Sequence, residues 1–284
     1  MRICLECQAK LLGSGWECPQ CGFTPESREG IFYFAPELSI VSDCFPPEAH
    51  EVLACLERGC FWFSSRNRLI SKAMNYFFPS ASTMFEIGCG TGYVLEHLSS
   101  LHPEMQFTGG ELYEAGLRVA RSRVPGAELI QVDALRLPYD AEFDLVGIFD
   151  VLEHIEDDAR VLGNIHKSLV PGGGLLLTVP QHAWLWSAWD EHSGHKRRYS
   201  RRELISKLHT AGFEIKWISS FLSLLLPLML ATRLRFLLPW ADRTNKGQFS
   251  ELRLPRKLNV LLEFICSFER GFLRPGVALP AGGP

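Results

Sequence analysis

Four cysteines near the start of the chain, Cys4, Cys7, Cys18 and Cys21, form two C-x2-C pairs ten residues apart within CLECQAKLLGSGWECPQCGF. Each pair can turn two thiolates toward one ion, and two such knuckles make the closed four-thiolate tetrahedron that structural zinc prefers. The ligand types alone leave iron open. A segment this short buries little apolar surface, so metal binding would supply most of its folding energy. Cys44, Cys55, Cys60, Cys89 and Cys266 form no second pair and read as ordinary thiols.

A second cluster is FEIGCGTGYVLEHL, with Gly88, Gly90 and Gly92 at alternate positions and Glu86 just ahead of them. Glycines at a strand end let the backbone turn sharply and let a ligand approach where a Cβ would obstruct it. The third glycine comes one residue too early for a dinucleotide loop, and no Lys or Ser/Thr pair follows as in a phosphate-binding loop. Glu111 stands about twenty residues farther on, where an acid can bond vicinal ribose hydroxyls. Asp133, in IQVDALRLP, can accept from an exocyclic amine such as that of adenine, and Glu86 could favour a cationic ligand through loop amides and water. A nucleoside in acidic surroundings without a phosphate grip points to S-adenosylmethionine.

The runs EIGCGTG, GGELYEAGL, QVDALRLPY, FDLVGIFDVLEHIEDDARVL and LVPGGGLLLTVP resemble, in order, the motifs of class I S-adenosylmethionine-dependent methyltransferases, over about residues 61–218. The resemblance implies that Glu86, Gly88, Gly90 and Gly92 shape the methionine pocket. It places Glu111 on the ribose, Asp133 and Ala134 beside the adenine, and Asp150 beside the methyl-donor end. Methyl transfer from a sulfonium asks mainly for alignment and exclusion of water. A base is needed only for a hydroxyl or protonated amine acceptor, and histidine is the usual one near neutral pH. His154, in DVLEHI, is one candidate, or else it positions the loop. His195 and Tyr199, in QHAWLWSAWDEHSGHKRRYSRREL, are the others, with Asp190, His192 and Arg198 nearby and Trp184, Trp186 and Trp189 as an apolar acceptor wall.

The elements that must carry these residues alternate as strands and helices. Strands are expected at Met84–Gly88, Phe107–Glu111, Leu129–Val132, Asp144–Phe149, Leu175–Val179 and Phe213–Ile218, with helices around Tyr93–Leu101, Glu114–Val124, Asp157–Leu169 and Ser200–Ala211. Ser200 and Glu203 read as a helix cap. The fold class is therefore α/β, a mostly parallel Rossmann-like sheet with helices on both faces. Residues 1–35 read as a zinc ribbon, 36–80 as linker and helical lid, 81–220 as the methyltransferase core and 221–284 as an apolar helical extension. A helix over about residues 49–78 either packs its aromatics inward while Arg66 and Arg68 face water, or closes over the glycine loop. The run FLSLLLPLMLATRLRFLLPW is too short to span a bilayer. It is either interfacial, with Arg233, Arg235 and Trp240 at the headgroups, or a buried helical cap. The final GVALPAGGP shows no alternation, so the antiparallel seventh strand usual in the family is expected to be absent or cut off.

With 46% hydrophobic residues in 284 the chain can build a core, and a net charge of −3 gives no overall field for nucleic acid. No secretory signal is visible, so the expected place is the cytoplasm or the inner face of the membrane. The expected activity is methyl transfer to oxygen or carbon of a small-molecule or lipid-linked acceptor. Two alternatives stand beside it: a zinc-ribbon ribosomal RNA methyltransferase using HKRRYSRR on phosphates, and a non-catalytic protein that senses S-adenosylmethionine and binds partners.

Overall fold

The computed structural model describes residues 1–11, 13–39, 47–236, 249, 253–274 and 276–282, without the side chains of 47, 48 and 232–236. Cys44 and Trp240 lie outside the described residues, as do the side chains of Arg233 and Arg235.

Seven strands, β1 (Glu26–Arg28), β2 (Ile31–Tyr33), β3 (Thr83–Ile87), β4 (Gln106–Glu111), β5 (Glu128–Gln131), β6 (Phe143–Phe149) and β7 (Leu169–Thr178), form one sheet in the order β1-β2-β5-β4-β3-β6-β7. Only the β1–β2 hairpin is antiparallel. The central strands read as continuous apolar runs because both faces are covered. Met84, Leu129 and Leu145 point to one face, and Phe85, Ile130 and Val146 to the other. On the first face lie α2 (Phe61–Phe77), α3 (Tyr93–Leu101) and α4 (Glu114–Arg123), preceded by α1 (Pro47–Glu57). On the second lie α5 (Asp158–Ser168) and, beyond the short α6 (Ala188–His192), α7 (Arg201–Thr210), which starts at Ser200 as its N-cap. The chain reverses strand order between β3 and β6, so a crevice opens at the carboxyl ends of β3, β4 and β6.

The N-terminal segment is built onto this sheet. Its hairpin adds β2 to the edge of β5, and the buried Gln131 side chain bonds Ala35 N and O and also Leu112 O. Trp16 packs edge-on against Phe34 (4.7 Å) and Tyr139 (5.6 Å) and donates to Glu128, whose two oxygens also accept from Arg2 Nη2. Cys4 and Cys18 share the core cluster that contains Phe85 and Val146.

Three expectations change. The helix expected over residues 49–78 is two helices, broken at Arg58–Cys60, where Gly59 interrupts the pattern. The strand expected at Phe213–Ile218 alternates in burial but pairs with no strand. Instead, the neighbouring chain bonds the C-terminal tail, through Trp217 Nε1 to Val277 O and Ser220 N to Leu279 O. The fifth strand of the core starts at Leu169, earlier than Leu175, because β7 pairs with β6 from Phe143 onward across a register shift. No strand follows β7 among the described residues.

The last helices are α8 (Leu226–Phe236) and α9 (Arg256–Phe272). Leu262 and Cys266 of α9 meet Phe61 and Trp62 of α2, and Arg270 bonds Ser65 and Glu263. No helix among the described residues is long and apolar enough to cross a membrane.

Candidate active site

The glycine loop follows β3 with φ of 69°, 51° and 76° at Gly88, Gly90 and Gly92, a region that excludes most side chains. A Cβ on Gly88 would lie 2.3 Å from Val151 Cγ2, and one on Gly92 would lie 2.9 Å from Ala120 Cβ. A Cβ on Gly90 would meet nothing within 4 Å. Two of the glycines are therefore required by packing, and the middle one faces open space.

Glu111, at the end of β4, grips this loop. Its Oε2 accepts from Gly90 N (2.9 Å), and its Oε1 accepts from Leu112 N (2.8 Å) and Tyr113 N (3.0 Å). Burial raises its carboxyl, and the three N–H bonds oppose that rise. A carboxylate has about four acceptor positions, so about one remains for a ligand.

Glu86 lies beneath, 2% exposed, with Oε2 bonded to nothing. Burial pushes its carboxyl up to about 8; Arg66 opposes the shift, and Glu111 and Glu57 add to it. Glu57 is itself fixed by Thr91 Oγ1 (2.6 Å) and Arg123 Nη1 (2.6 Å), which ties α1 to the loop and to α4.

Asp150 directly follows β6 with φ of 56°, and its Oδ2 accepts from Arg66 Nη1 at 2.5 Å. The Arg66 guanidinium stacks on Trp62, 4.7 Å from the ring centroid, and its buried Nε has no partner. Thus α2 turns one arginine into the site, while Arg68 pairs outward with Glu263. Asp133, after β5, accepts from Leu135 N through Oδ1, and Ala134 O accepts from Asn164.

Past Asp150 a second group of side chains converges. Ligand atoms of Glu153, His154 and His195 all lie within 4.8 Å of one another. His195 Nδ1 sits 2.9 Å from Asp190 Oδ1; a carboxylate only accepts, so Nδ1 carries the proton and Nε2 is left as an acceptor. Asp190 is fully buried and also bonded by Arg198 Nε and Nη2 and by Ser187 N and Oγ; against the effect of burial, the bonds from His195, Arg198 and Ser187 N hold its carboxyl well below the usual range. Burial lowers His154 to about 4, with His195 adding to the shift. Burial and then Asp150 raise the Glu153 carboxyl.

The structure thus brings Glu86, Gly88, Gly90, Gly92, Glu111, Asp133, Ala134 and Asp150 to one end of the sheet, and His154 beside His195. Tyr199 touches the turn that carries Glu153 and His154: it is 1% exposed, and its hydroxyl lies 2.8 Å from Asp158 Oδ2 and 3.3 Å from Leu152 O. Trp184 and Trp186 are exposed, while Trp189 packs on Phe249. The basic run is partly consumed inside the fold, with Arg198 on Asp190 and Arg197 on Asp158. Sequence reading missed Glu153 and the Glu57–Thr91–Arg123 network. Glu153 could have been suspected as an acid inside an apolar turn; nothing local marks the network. None of these residues lines the 520 Å³ groove between the C-terminal half of α2 and Trp217.

Residues 61–216, from the first residue of α2 to just past α7, match the family model described as methyltransferase domain. The chain belongs to this methyltransferase family. A Mycolicibacterium smegmatis protein named "Probable S-adenosylmethionine-dependent methyltransferase" is 30% identical over 136 residues, 47% of this chain and 52% of that protein. Phthiotriol/phenolphthiotriol dimycocerosates methyltransferase 1 of Mycobacterium ulcerans is 30% identical over 131 residues, 44% of this chain and 48% of that protein. The chain therefore spans about half the length of the curated relatives it matches. The solved structure of CalS10, a SAM-bound amino pentose methyltransferase from Micromonospora echinaspora, is 26% identical with a TM-score of 0.39, covering 44% of this chain and 55% of that one. The cysteine quartet and α9 fall outside the matched domain.

Two outcomes follow from the loop and its floor. Gly88→Ala should lose about 2–5 kcal/mol of stability from strain and the Val151 clash, whereas Gly90→Ala should lose about 1–2 kcal/mol from backbone strain alone; urea melts compare them. Glu86 favours the neutral form in the fold, so its contribution is intact below pH 4.5 and is lost as pH rises toward about 8. The loss is at most ~1.4 kcal/mol per unit. Melts at about pH 5 and about pH 8 should show wild type losing stability relative to Glu86→Gln, and equal slopes would refute the assignment.

Proposed function

We propose that this chain transfers a methyl group from S-adenosylmethionine to oxygen or carbon of a small-molecule or lipid-linked acceptor, at the inner face of a membrane. The observation that carries the cofactor reading is the orphaned, buried Glu86 carboxyl on β3, two residues before the glycine loop in which a Cβ on Gly90 would meet nothing within 4 Å. A buried carboxyl without a partner is satisfied by a ligand that brings positive charge. S-adenosylmethionine supplies an electrophilic methyl on a sulfonium. Glu86 and the glycine loop would hold its amino acid end, the remaining acceptor position of Glu111 its ribose, and Asp133 with Ala134 its adenine. The ion pair between the buried Arg66 and the partly buried Asp150 would cover the donor end and limit its access to water. His154, uncharged at neutral pH, and His195, its tautomer set by Asp190, each keep a ring nitrogen on the acceptor side that can accept either a proton or a cation. Tyr199 holds the α5 start in place through Asp158 and so positions this loop.

The cysteine quartet fits zinc. Cys4 and Cys21 sulfurs are 3.6 Å apart and Cys7 and Cys18 sulfurs 3.5 Å apart, close to the ~3.8 Å between thiolates bound ~2.3 Å from one tetrahedral ion. The ribbon then acts as a fixed edge of the sheet.

The lipid-linked acceptor rests on α9. Val260, Leu261, Phe264, Phe268 and Phe272 are exposed along one face, with Leu224 and Leu228 also exposed in the preceding segment. Arg253, Arg256 and Lys257 stand at the start of the helix. An apolar face with basic residues at its edge suits an anionic bilayer surface. The opposite face packs on α2, the helix that closes the site through Arg66, so a bilayer-bound α9 would set the site at the surface. The name of one relative, a dimycocerosates methyltransferase, accords with such an acceptor.

Calorimetric titration of S-adenosylmethionine should show binding that weakens about tenfold or more in Glu111→Ala, and repeats in buffers of different ionisation enthalpy should show proton release that Glu86→Gln abolishes. Absence of binding by the folded protein would sink the reading. In flotation, vesicles containing phosphatidylglycerol should carry the protein, and Phe264→Asp with Phe268→Asp should weaken this about tenfold or more. Equal recovery of both proteins would remove the membrane role.

A further inference from the structure

We propose that Glu153, His154 and His195 form a divalent-cation site on the acceptor side of the active site, and that the acceptor atom is a hydroxyl oxygen bound to that cation. This rests on the reading of the site as a methyltransferase centre.

Glu153 and His154 come from one tight turn, Leu152–His154, directly after β6, and His195 comes from the loop after α6. One ligand atom from each lies within 4.8 Å of the other two, and Glu153 Oε1 is 4.0 Å from His195 Nε2. Ligand atoms ~2.1 Å from a common ion stand about 3–4.2 Å apart, so side-chain shifts of under ~1 Å close the site.

Glu153 supplies an independent observation. Its side chain is 1% exposed, and Oε2 is buried without any hydrogen-bond partner. A buried carboxylate oxygen with no donor is costly and rare in a settled fold. A cation between it and the two imidazoles is the ligand that satisfies it.

The surrounding shell has the form that metal sites use. Asp190 receives the Nδ1 proton of His195 and so aims the Nε2 lone pair at Glu153, and Arg198 with Ser187 fixes Asp190 in turn. A carboxylate behind a ligating histidine sets its tautomer and raises its basicity. Two imidazoles and a carboxylate suit Mn²⁺, Fe²⁺ or Zn²⁺ and leave positions for substrate oxygen. Asp150, three residues earlier at the same strand end, puts this site next to the donor position.

An acceptor hydroxyl coordinated there loses its O–H proton to water more readily. Its oxygen lone pair then forms the bond to the methyl carbon, and the electron pair of the broken S–C bond stays on sulfur.

The test is binding of Mn²⁺ to the full chain carrying a single equivalent of zinc, enough for the cysteine quartet alone, followed by loss of the free-ion electron paramagnetic resonance signal, with no methyl donor present. Wild type should saturate at a single site. Glu153→Gln and His195→Asn should each weaken binding about 10–100-fold, while His192→Asn, an exposed ring bonded to Ala188 O, should not. Circular dichroism melts confirm that the variants fold. No saturable binding by wild type, or unchanged binding by folded Glu153→Gln, overturns the proposal. Because the readout involves no cofactor, its failure is distinct from a failure to bind S-adenosylmethionine.

Discussion

One buried carboxylate holds the working end of this molecule together. Glu111 stands at the end of β4 and accepts from Gly90 in the loop after β3 and from its own next two residues. Without it, three backbone N–H groups at the crevice would have to be satisfied by water or ligand, and the loop would lose its tie to the neighbouring strand. The acid that sequence reading assigns to a ribose thus also builds the cradle. Because its contacts run to main chain, they set the loop's path whatever the neighbouring side chains are.

Around this centre the protein tolerates unusual electrostatics. Glu57, Glu86, Glu111 and Glu153 are all buried, and burial is the first cause of the upward shift in each. Glu57 is compensated by Arg123 and Thr91, and Glu111 by backbone donors. Glu86 and Glu153 each keep an oxygen without a partner. Compensation is therefore complete where a carboxylate builds structure and incomplete at the two places that face the proposed cofactor and acceptor. Functional sites carry such unfinished polar accounting, because the ligand completes it.

The segments outside the matched domain attach by different physics. The N-terminal segment docks by shared core and charged hydrogen bonds, with Trp16 between aromatic rings and Arg2 and Trp16 converging on Glu128. Helix α9 docks by a narrow apolar seam and by Arg270 and Glu263 against α2, and leaves its broad apolar face exposed. Helix α2 is the common element: its inward residue Arg66 reaches Asp150, and its outward residue Arg68 reaches Glu263 of α9.

The sequence by itself determined the parts whose signals are local. Alternating glycines before a helical run mark a turn that needs positive φ, paired C-x2-C knuckles mark a four-sulfur cluster, and apolar runs separated by helices mark a parallel sheet. Strand-end acids could be placed on one rim because parallel strands bring their carboxyl ends together. What depended on distant partners stayed out of reach. The inward turn of Arg66, the fate of Phe213–Ile218 and the pairing of β2 with β5 were decided only by the tertiary structure. Each turns on a contact between residues far apart in the chain: Arg66 with Asp150, Trp217 with Val277, Ile31 with Leu129. The same holds for Glu153, His154 and His195, since period and propensity describe how a segment folds against itself and say nothing of which loop will lie across it.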